Sequence, residues 1–84
     1  MPHFMDVHHE AAKGLTPEAA AEIHQRDLAV EGKYGVRYLK YWYDATTGKT
    51  FCLSEAPSMD AVMAVHRDAH GLVADEIFEV YEGD

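Results

Sequence analysis

Val36–Glu55 reads VRYLKYWYDATTGKTFCLSE. The first eight residues are rich in aromatic and β-branched side chains and predict a strand. Asp44–Lys49, DATTGK, predicts a hairpin turn with Gly48 near its end, and Thr50–Glu55 predicts the returning strand. What flanks this hairpin decides the architecture.

Upstream, Thr16-Pro17-Glu18 carries an N-cap, a proline at the first helical position and a carboxylate near the positive end of the helix dipole. The helical pattern runs to about Val30 or Glu31, with Gly32 as the expected stop. Downstream, Ala56-Pro57 breaks the strand, Ser58 caps a second helix with Asp60 in its first turn, and Gly71 ends it. His3–His9 predicts a short opening strand, Glu10–Leu15 a loop, Glu76–Tyr81 a last strand with period-two alternation, and residues 82–84 a frayed tail.

The order is therefore β-α-β-β-α-β. Two such split units with right-handed crossovers give an α+β, ferredoxin-like fold. It has a four-stranded antiparallel sheet with two helices on one face. The first and third strands are expected as central, parallel neighbours. The other face of the sheet, carrying tyrosine, tryptophan and methionine, is left as an apolar patch. Such patches usually mark an interface, and a homodimer packed sheet against sheet is the simplest occupant.

The 84 residues make a single ferredoxin-like domain spanning 1–84, near the lower size limit for one core. The formal charge of −8 argues against nucleic acid and anionic membrane, and favours cations. Cys52 is the only cysteine, so no disulfide forms within the chain and a reducing compartment is expected. The start MPHFMDVHH lacks the pattern of a signal peptide, and no stretch is long enough for a membrane span, so a cytoplasmic protein is expected.

The helices carry an anomaly. On the second, Val62, Val65, Met59 and Ala69 form the apolar side; His66 falls within that stripe and His70 at its edge. On the first, Ile23, Val30, Ala19 and Ala20 mark the apolar face, with Asp27 near its middle and His24 at its edge. A carboxylate there is costly to bury without a partner. Ordinary buried histidines and an arginine-paired aspartate are the plainer explanation, so the register matters.

Both helices are expected to start at the same end of the sheet, so His24 and His66, each eight positions after its cap, are expected about 12 Å from that end. At the same depth on the opening strand lies Asp6. Asp27 and His70 match each other one turn further on. If Phe4, Asp6 and His8 face the helices, Asp6, His8, His24, Asp27, His66 and His70 make one cluster. If Met5, Val7 and His9 face them, Asp6 and His8 look toward the open face. Hydrophobicity slightly favours the second parity; the need of the helical polar groups for partners favours the first, which is adopted here.

Imidazole and carboxylate donors suit nickel, zinc, cobalt, copper or iron. Histidine ligation predicts binding that fades as pH falls through about 6. The zinc-protease pattern H-E-x-x-H is absent, since Arg67 follows His66, and His3 and His9 are expected as loose surface sites.

DVHH (6–9), HQRDL (24–28), KYWYD (40–44), FCLSEAP (51–57) and VHRDAHGLVADEIFEV (65–80) together resemble a family of small bacterial nickel-binding proteins, formerly a domain of unknown function. The resemblance covers nearly the whole chain. It implies a ferredoxin-like dimer that binds nickel or a similar ion, with sequestration as the suggested role. The ligands named above come from periodicity, not from the resemblance. The competing function is a small-molecule enzyme of the dimeric α+β barrel type using a His/Asp acid-base pair, His24 with Asp27 or His66 with Asp6. No nucleophile stands beside a base at recognisable spacing, so an enzyme is the less favoured reading. A plain interaction module is the third.

Overall fold

The computed structural model describes residues 1–9, 16–69, 71 and 73–83. Its elements follow the order β1 (His3–His8), α1 (Pro17–Val30), a short 3-10 helix (Glu31–Tyr34), β2 (Arg37–Tyr43), β3 (Thr50–Glu55), α2 (Met59–Ala69) and β4 (Glu76–Val80). The strands form one sheet in the order β2-β3-β1-β4, every neighbouring pair antiparallel. β1 and β3 are central neighbours as expected, but antiparallel rather than parallel. The β2–β3 hairpin reverses the chain before β3 reaches β1, so α1 and α2 start at opposite ends of the sheet. This removes the common starting end on which the matching of depths relied.

The capping signals read from the sequence operate. Thr16 Oγ1 accepts from the Ala19 amide at 3.1 Å, and Ser58 Oγ from the Ala61 amide at 3.2 Å. At the end of α1 the expected stop shifts. Gly32 lies inside the 3-10 helix, and Gly35, at φ 70°, makes the left-handed turn into β2. Extending the helix by this tighter turn places Glu31 so that its Oε2 accepts the Tyr38 amide at 2.8 Å. Gly71, at φ 76°, follows α2, its amide donating to the His66 carbonyl at 2.9 Å. In the hairpin turn Asp44 Oδ1 accepts from the amides of Thr46 and Thr47, an Asx turn.

The core between sheet and helices is built from Phe4, Val36, Tyr38, Cys52, Ala56, Val62 and Val65. Val62 and Val65 are fully buried, worth about 1.5–3 kcal/mol each. Met59, expected on the apolar side of α2, is exposed because it occupies the first turn, beyond the reach of the sheet.

Alternation and pairing sort the strands into two faces. Asp6 sits opposite Cys52 on β3 and Ile77 on β4, and Cys52 opposite Tyr41 on β2. A register shift between Tyr38 and Lys40 inserts one extra residue, a β-bulge. The bulge lets Tyr38 and Tyr41, three positions apart, both contact helix residues: Tyr41 packs on His24 and Tyr38 on His66. The expectation that the tyrosines lie on the open face therefore fails for these two. The open face carries Met5, Lys40, Trp42, Phe51, Leu53 and Phe78, with Trp42 47% and Phe78 48% exposed. Among the described residues no helix is long and apolar enough to cross a membrane.

Candidate metal centre

The strand parity chosen from the partner argument is the one observed. Phe4, Asp6 and His8 are all buried, and the Asp6 carboxylate meets α2. Asp6 is wholly inaccessible at the centre of the sheet, and Asp27 and His66 are 1% exposed. Three ionisable side chains at that depth hold their place through one another.

His66 is the hub. Its Nδ1 lies 2.9 Å from Asp27 Oδ1, so α1 orients the ring of α2. Its Nε2 lies 3.1 Å from Asp6 Oδ2 and 3.2 Å from the Tyr38 hydroxyl. The other Asp6 oxygen lies 3.2 Å from His8 Nε2, and the rings of His8 and His66 meet edge to face at 4.9 Å. These short distances to Asp6 do not amount to satisfied hydrogen bonds. Both oxygens are buried and neither lies in line with an N–H.

The charges follow from that geometry. Burial pushes the Asp6 carboxyl up, but the imidazoles of His66 and then His8 outweigh it and leave the group below the usual carboxylate value. Burial pushes His66 down, and the carboxylates of Asp27 and Asp6 more than reverse this, raising it to about 9. The metal-free centre at neutral pH is thus an imidazolium between two carboxylates. Burial, reinforced by Asp6 and Asp27, pushes the Tyr38 phenol and the Cys52 thiol up, so both stay protonated.

Among the described residues, the donors close enough to share one ion are those of Asp6, Cys52 and His66, whose ligand atoms all lie within 4.8 Å of one another. Metal bonds of about 2.0–2.3 Å span roughly twice that length across an ion, so a small closure would let the three meet on one cation. Asp27 then serves as the carboxylate behind a ligating imidazole, fixing the tautomer that presents Nε2.

The other predicted residues take different places. His8 stands at the rim, against Asp6. His24 is set aside: its ring stacks on Tyr41 at 4.4 Å and faces Tyr38 edge-on at 6.4 Å, and its Nδ1 is buried without a hydrogen-bond partner. His70 lies outside the described residues. His3 pairs with Glu55 and His9 with Glu76, both at the surface and away from the cluster. Sequence reasoning missed Tyr38 and Cys52, both read as packing residues. No local signal marked Cys52, because only the antiparallel pairing of β1 with β3 sets it opposite Asp6.

No curated protein matches the chain. Among solved structures, the crystal structure of SCO4226 from Streptomyces coelicolor A3(2) superposes with a TM-score of 0.90 at 45% sequence identity, covering 98% of this chain and 99% of that one. The family model described as nickel responsive protein SCO4226-like matches residues 4–80, a span that takes in both helices, the strands except for His3 of β1, and every residue of the buried cluster. With that match over nearly its whole length and the shared fold, this chain belongs to the SCO4226-like family of nickel-responsive proteins.

Proposed function

We propose that the protein binds a divalent transition-metal ion, nickel foremost, between its sheet and its helices, and that it serves to sequester that ion. The observation that carries this reading is Asp6, a wholly buried carboxylate with neither oxygen in line with a donor, facing a histidine whose other nitrogen is already held by Asp27. The family description points to nickel, and the −8 charge of the chain favours any cation. The Asp27–His66 pair also has the arrangement of an acid-base dyad. Yet the closure around His66 gives an organic substrate no approach, which favours the ion. The reading includes a homodimer through the open sheet face, supported by the exposure of Trp42 and Phe78, and a cytoplasmic location, supported by the single free cysteine.

Isothermal titration of tag-free protein with nickel chloride tests the site. Asp6→Asn and His66→Gln are each expected to weaken binding at least about tenfold, while His3→Ala and His9→Ala leave it within about twofold. Loss confined to the His3 or His9 variants would move the site to the surface and end the buried reading.

A further inference from the structure

We infer that Cys52 is the third protein donor to this ion, making the site a mixed oxygen, nitrogen and sulfur centre. The inference rests on the binding reading above and specifies its chemistry. Cys52 is directly opposite Asp6 in the β1–β3 pairing, on the same face of the sheet, so the backbone ladder presents thiol and carboxylate side by side. The Cys52 Sγ, an Asp6 oxygen and a His66 nitrogen lie within 4.8 Å of one another. Independently of the cysteine, Asp6 is inaccessible and, although imidazoles stand near both of its oxygens, neither oxygen has an aligned hydrogen-bond donor. The competing role for Cys52 is inert packing, since it belongs to the same buried core cluster as Phe4, Val62 and Val65.

The donor types make a selectivity statement. Carboxylate alone would suit magnesium, calcium or manganese, whereas imidazole and thiolate favour nickel, copper, cobalt and zinc. As the metal binds, the Cys52 S–H bond and the His66 Nε2–H bond both break and two protons pass to solvent; no electron is transferred. Asp6 and Cys52 then supply two negative charges to a dication, with Asp27 holding the neutral His66 ring in place.

The test is titration of the full chain with nickel chloride, and separately with cobalt chloride, followed by calorimetry and near-ultraviolet absorption. Wild-type protein is expected to develop a thiolate-to-metal charge-transfer band that saturates at one ion per chain. Cys52→Ser is expected to lack the band and to bind nickel at least about tenfold more weakly, with magnesium failing to compete in either protein. Cys52→Ala, which keeps the volume small and carries no oxygen donor, is expected to behave as Cys52→Ser; the metal-free unfolding temperature of both separates a folding defect from a binding one. Wild-type binding that Asp6→Asn and His66→Gln weaken, with no thiolate band and unchanged affinity in both Cys52 variants, would overturn the inference and leave the binding reading standing. Unchanged affinity in all of the Asp6, His66 and Cys52 variants would overturn both.

Discussion

The two faces of this sheet differ in how they depart from the usual allocation of side chains. Beneath the helices, Phe4 and Ile77 share the layer with Asp6, His8, Tyr38, Tyr41, Cys52 and Ser54. On the uncovered side stand Met5, Trp42, Phe51, Leu53 and Phe78. Each face is costly by itself. Buried charge requires compensation, by a proton on His66 or by a cation, and exposed apolar surface gains from being covered. The ionisable face of the fold is thus suited to an ion and the apolar face to a partner.

Removing the central charge attacks the buried face most strongly. His66→Ala leaves Asp6 and Asp27 buried without the cation they share, and is expected to cost about 3–5 kcal/mol of stability. Urea unfolding of the metal-free protein measures it. A loss below about 1 kcal/mol would mean that water compensates the carboxylates and that the buried face is wetter than its geometry implies. The double replacement Trp42→Glu with Phe78→Glu probes the other face. Sedimentation is expected to show self-association weakened at least about tenfold, with nickel affinity little changed, because neither side chain reaches the cluster. Unaltered association would place the partner elsewhere.

The smallest effect, and the sharpest for the charge argument, is in pH. His66 is raised from 6.5 to about 9, so the stability it contributes is complete below pH 6.5 and is lost as pH climbs through about 9. Asp6 is lowered from 3.8, so its contribution is present above that value and is lost as pH falls through the lowered one. The metal-free protein is therefore expected to weaken gradually between pH 6.5 and 9 in urea titrations. Nickel affinity should rise over the same interval, since the ion competes with the His66 proton. That moves the expected loss of binding upward from the pH of about 6 that an unperturbed histidine implies. Parallel rather than opposed trends would show that the ion does not replace this proton.

Much of the cluster was legible because helical spacing and caps are local. Thr16 and Ser58 set the phase of the two helices, and that phase puts Asp27 and His66 toward the sheet whatever the rest of the chain does. Asp6 followed from the requirement that a buried carboxylate and imidazole have partners, and not from depth, because the two helices start at opposite ends of the sheet. The expected level pairing of His24 with His66 fails, because helices starting from opposite ends of the sheet set Asp27 against His66 and leave His24 to pack on Tyr41.

Sequence by itself determined the element order, the placement of the hairpin between two capped helices, and the ionisable stripe on each helix. All of these depend on residues within a turn or two of one another. Tertiary structure alone decided which edge of β1 faces inward, since apolar residues occupy both, and it brought Tyr38 and Tyr41 inward through a bulge at Leu39. It also set Cys52 opposite Asp6. Those outcomes depend on strand registers, for β1 and β3 between segments more than forty residues apart, where the energy of pairing and burial, not local preference, selects the arrangement.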